Sequence, residues 1–73
     1  MDRPDWLEEG ELVDYLIGHT NYGPHWRTAV VKKISQDDET CLIYFVKPVQ
    51  GRADGMWVDW DQVNEHKPST YWK

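Results

Sequence analysis

Apolar residues come along this chain in short runs separated by turn formers, and no run sustains a helical period. Leu12-Val13-Asp14-Tyr15-Leu16-Ile17 lies between Gly10 and Gly18, limits that suit a strand of about six residues. Gly18 to His25 is dense in turn formers and predicts a loop. Trp26 to Ile34, rich in β-branched residues, predicts a second strand solvated on one face. Ser35 to Glu39 is short, polar and acidic, which reads as a hairpin loop. Thr40 to Lys47 is the clearest strand, ended by Pro48, which has no N–H for a ladder. A second loop, Pro48 to Gly55, leads to a short fourth strand, Met56-Trp57-Val58. Asp59 to Val63 predicts one helical or 3₁₀ turn, with Asp59 as its cap.

Together these elements predict an all-β chain, a small barrel of short strands. Residues 10–64 form the expected domain. Residues 1–9 are a flexible lead-in, with Trp6 and Leu7 able to pack back onto the barrel, and residues 65–73 are a tail, polar except for Tyr71-Trp72.

Length and charge narrow the function. The chain has 73 residues, too few for a two-layer α/β enzyme with a deep cleft. Its longest apolar run, Leu42 to Val46, is far short of a membrane span, and Met1 to Glu9 lacks the apolar stretch of a signal peptide. Cys41 is the single cysteine, so an internal disulfide and a four-thiolate zinc site are excluded, and a reducing compartment is the simplest expectation. Thirteen acidic residues against eight Lys and Arg give a net charge of -5, which disfavours a phosphate backbone and favours a neutral or basic partner.

Catalytic patterns are missing. There is no G-x-S-x-G, no glycine-rich phosphate loop, and Cys41 sits in an apolar strand as a small hydrophobe would. His19, His25 and His66 are far apart in sequence and share no ligand spacing. The expectation is a non-enzyme with no catalytic residue, metal or cofactor.

The aromatics are the sharper signal: five Trp, four Tyr and one Phe in an acidic chain. Two readings stand side by side. The rings fill an undersized core, or several of them line a cage that holds a methylated ammonium by cation–π attraction. Parity in the third strand puts Leu42, Tyr44 and Val46 on one face and Cys41, Ile43 and Phe45 on the other, so both faces are apolar. Trp57 is the ring expected in the core, whereas Tyr22 and Trp60, next to turns, are expected to be exposed. Asp37-Asp38-Glu39 solvates a hairpin tip. Asp54, Asp59 and Asp61 flank the fourth strand, where they attract a basic peptide or cap turns.

Gly10-Glu11-Leu12-Val13, then Trp26, Ala29, Val31 and Ile34 in the second strand, Cys41 to Val46, and Trp57-Val58 with Val63 resemble the Tudor and chromo-barrel group, to which PWWP and agenet domains are related. The likeness covers roughly residues 7 to 64. It implies an SH3-like, five-stranded, strongly bent antiparallel barrel with a short 3₁₀ turn near its C-terminal end. It also implies reading of methylated lysine or arginine on histone tails by an aromatic cage. Carried onto this chain, the cage picks out Tyr15 or Tyr22, Trp26, Phe45 and Trp57, with Asp54 or Asp59 as the acid; Trp60 joins them as a ring beside a turn. Leu12-Val13-Asp14-Tyr15 also resembles the first strand of Src-homology-3 domains, whose grooves dock polyproline segments.

The expected function is therefore a non-catalytic module for a basic peptide such as a histone tail, acting in the nucleus or else in the cytoplasm. The alternatives are a protein–protein adaptor that reads no methylation and, third, a binder of single-stranded nucleic acid through stacked rings.

Overall fold

The computed structural model describes residues 2–67. Five antiparallel strands form one sheet: β1 (Leu12–Thr20), β2 (Gly23–Ser35), β3 (Thr40–Phe45), β4 (Gly55–Asp59) and β5 (Val63–Glu65). A 3₁₀ turn, Trp60–Gln62, joins the last two, and the strand order is β4-β3-β2-β1-β5. The chain is thus all-β, as its pattern requires. Closure into a barrel is realised only in part. β4 and β5 are the two edges of the sheet, and the 3₁₀ turn links them without a ladder.

The long β2 holds the sheet together by serving two neighbours in succession. Gly23 to Val30 pairs with β1, and Ala29 to Ser35 pairs with β3, so the two ladders overlap only near Ala29 and Val30. Register shifts between Leu16 and Gly18 and between Val31 and Lys33 insert an extra residue on each strand, which sharpens bend and twist.

Period-two alternation then sorts the side chains. Val13, Ala29, Val31, Cys41, Ile43, Phe45 and Val58 point inward and are buried, joined by Trp60, Val63 and Leu7. Val58 faces inward opposite Cys41, so its neighbour Trp57, opposite Leu42, must face outward. Trp57 is 52% exposed, which corrects its assignment to the core. Trp60 is the reverse correction. It is 1% exposed, because the 3₁₀ turn folds it back under the sheet, where its Nε1–H donates to Thr40 O at 2.8 Å.

Three further boundaries differ from the sequence reading. Gly18 to His25 is not a loop but the end of a hairpin, in which β1 runs to Thr20 and β2 starts at Gly23. The turn is only Asn21-Tyr22. Neither residue has a positive φ, so the left-handed step falls on Gly23 at φ 114°, which only glycine accepts readily. β3 ends at Phe45 rather than Lys47. The expected tail begins one residue too early, since Glu65 pairs with Val13 inside β5. Tyr71 and Trp72 lie outside the described residues.

The lead-in is docked through Leu7, which is fully buried and donates its N–H to Pro4 O at 3.0 Å. The segment then joins the sheet, with Gly10 N donating to Val31 O and Val31 N to Glu11 O.

Candidate functional site

Parity sends the expected binding residues to opposite sides of the sheet. Tyr15 and Phe45 face inward with ring centroids 6.2 Å apart and planes tilted by 58°, an edge-on aromatic pair. Trp60 is also inside, with its one donor spent. Trp26, opposite Leu16, and Trp57, opposite Leu42, face outward. Tyr22 stands at the hairpin tip, wholly exposed. Asp54 accepts a hydrogen bond from Phe45 N through its carbonyl, and Asp59 is the N-cap of the 3₁₀ turn, its N–H donating to Gln62 Oε1 at 2.8 Å. Among the described residues, the structure brings Tyr15 and Phe45 together. Asp54 joins them through its backbone bond to Phe45, while Trp26 and Trp57 stand on the outer face and Tyr22 at the hairpin tip.

Concave surface forms elsewhere, in two clefts of opposite charge. The first, of about 420 Å³, lies where the lead-in meets β1 and β5, and is lined by Asp5, Trp6, Glu8, Glu11, Glu65 and His66 with Gly10 and Leu12. Its walls follow from local chemistry. Burial of Leu7 holds Trp6 half-buried beside it, and Glu11 N donates to Glu8 O at 3.2 Å to close a turn between the two acids. Gly10, at φ 90°, carries the chain round that turn where a side chain would be strained. From the other side β5 brings Glu65. His66 is fixed by its Nδ1, 2.9 Å from Asp14 Oδ1, the same oxygen that accepts from Thr28 Oγ1 at 3.0 Å. Four acidic residues thus line one cleft together with one indole. Arg3 contacts Glu8 at 3.5 Å, but both side chains are well exposed and such a pair yields easily to a competitor.

The second cleft, of about 640 Å³, crosses the outer face of β1 and β2 to the segment after β3. Leu12, Trp26, Arg27, Thr28, Val46, Lys47 and Pro48 line it, with no acid among them. A smaller hollow of about 270 Å³ is formed by Asp38, Glu39, Asp59 and Asp61 over the buried Trp60. Asp59 and Asp61, expected to border the fourth strand, do so there.

No family model, curated protein or solved structure matches the chain.

Among the described residues no group of three or more His, Cys, Asp and Glu side chains is placed to hold a metal ion. Burial pushes the Cys41 thiol up to about 11, so at neutral pH it stays a protonated core side chain. Sequence reasoning missed Trp6 and Glu8 because residues 1–9 read as a polar lead-in, Glu11 because it stands ahead of the first apolar run, and Glu65 because it fell in the expected tail. The signal available was the Trp6-Leu7 pair, the one apolar step in that acidic segment, since a buried Leu7 draws its neighbours onto the sheet.

Proposed function

We propose that this chain is a non-catalytic binding module for a basic peptide segment, received in the cleft beside Trp6. The observation that carries the reading is that Asp5, Glu8, Glu11 and Glu65 line one cleft with the half-buried Trp6. A lysine or arginine side chain entering there exchanges water for several carboxylates and an aromatic face, and its aliphatic stem packs on apolar wall. The net charge of -5 steers such a partner toward the module at long range.

Methylation of the incoming cation is the finer form of the proposal. A methylated ammonium keeps its charge, sheds hydration and gains from an aromatic wall. A histone tail is one segment of this chemistry, in keeping with the likeness to Tudor and chromo-barrel domains, and the nucleus would then be the place of action. The test is titration of the ¹⁵N-labelled chain with matched peptides carrying lysine, trimethyllysine or norleucine at one position. Amide shifts at Trp6, Glu8, Glu11 and Glu65 with both lysine forms, and none with norleucine, support the reading. Tighter binding of trimethyllysine supports its finer form, whereas equal binding of norleucine rejects both.

A further inference from the structure

We propose that the groove around Trp26 is a second docking site, built for an extended peptide that carries an apolar anchor flanked by carboxylates. Three large apolar side chains are left open there: Leu12 is 43% exposed, Trp26 40% and Val46 56%. They converge because Leu12 and Trp26 share the outward parity of the β1–β2 ladder. Val46, just past β3, is brought alongside by the bond from its N–H to Thr28 O. The apolar surface runs on across the sheet, since Leu12 is opposite Val30 and Val30 is opposite Tyr44. An open Trp within an exposed apolar patch is the composition of a binding hot spot.

The occupant's charge follows from the rim. Arg27 and Lys47 stand in a groove whose lining has no carboxylate, on a protein whose net charge is -5. Neither makes an ion pair among the described residues; the guanidinium of Arg27 only donates to the carbonyl of Trp26 at 3.1 Å. Lys32 adds a third cation farther along the same face, 5.9 Å from the centroid of the Tyr44 ring. A partner that buries an apolar side chain against Trp26 therefore meets two unneutralised cations, and Asp or Glu beside the anchor complements them. A nucleic acid strand fits less well. It would place phosphates along a chain of net negative charge with only two cations in the groove.

Selection from a displayed library of short random peptides against the folded chain tests this. Beside basic winners for the Trp6 cleft, the expected winners for this groove place Asp or Glu around Leu, Phe or Trp. Their affinity falls roughly tenfold or more in Trp26→Ala and in the double variant Arg27→Glu/Lys47→Glu. Arg27 and Lys47 are exposed, so thermal unfolding of the charge-reversal variant should match the parent and separate lost binding from lost folding; Trp26, 40% exposed, gives up packing as well, and its variant is compared at a temperature where it remains folded. Winners that are only Lys- and Arg-rich would overturn the proposal, as would acidic winners indifferent to the charge reversal. Oligothymidylate that displaces the winners from this groove, with steep salt dependence, would overturn it too. Because the Trp6 cleft keeps its residues in both variants, failure here leaves the basic-segment reading to its own test.

Discussion

The indole N–H of Trp60 donates to the carbonyl of Thr40 at 2.8 Å, and the backbone N–H of Trp60 donates to Glu39 O at 3.0 Å. One residue at the end of β4 is thereby tied twice to the start of β3. It also fills the inside of the sheet where β4 and β5 leave the barrel unclosed. Trp60→Ala should cost about 3–5 kcal/mol, a large share of the stability of so small a domain. Trp60→Phe keeps most of the apolar contact but orphans the Thr40 carbonyl, for a loss of about 1–3 kcal/mol. Urea unfolding of the two variants checks the order.

Asp14 joins three parts of the sheet through one oxygen, accepting from Thr28 on β2 and meeting His66 just past β5. Its side chain is 27% exposed, so these bonds are partly sheltered from water. Asp14→Ala should destabilise by about 1–2 kcal/mol, and Asp14→Asn by less, since the amide oxygen still accepts from Thr28. A double-mutant cycle with Thr28→Val measures the shared part.

Cys41 should be silent toward Ellman's reagent at pH 8 in the folded protein and react fully in guanidinium. Burial raises its thiol from the ordinary 9.0 to about 11, so the native state holds the proton more tightly than the unfolded chain. The sign is fixed by that difference. Cys41 subtracts nothing from stability below pH 9, and stability falls as pH rises from 9.0 toward about 11. Cys41→Ala should remove that alkaline slope.

The strands were legible wherever local pattern decides structure. Thr40 to Phe45 is a short, nearly continuous apolar run, and Pro48 and the glycines mark the breaks. What single-chain periodicity could not settle was which parity faces inward in β4, where Trp57 and Val58 are both apolar; the register opposite Cys41 and Leu42 decides it. Trp60 escaped for a similar reason, since a residue beside a turn reads as exposed until the turn's direction is known. Gly18 to His25 looked like a loop because Gly, Pro and Asn are turn formers, yet backbone pairing across His19↔Pro24 makes it a hairpin. Of the expected site residues, Tyr15 and Phe45 meet. The Trp6 cleft was hidden, because its acids are contributed by segments as far apart in sequence as Glu8 and Glu65.

Charge placement, more than total charge, is central to the functional account, and its most direct test is a pair of variants read with one ligand. A trimethyllysine peptide is titrated against the chain, against Glu8→Lys/Glu11→Lys, and against Asp59→Lys/Asp61→Lys. The account predicts roughly tenfold or greater loss for the first double variant and little change for the second, since Asp59 and Asp61 line a different hollow. Equal loss from both would reduce the interaction to net charge alone, and loss only from the second would move the site away from Trp6; either result contradicts the account.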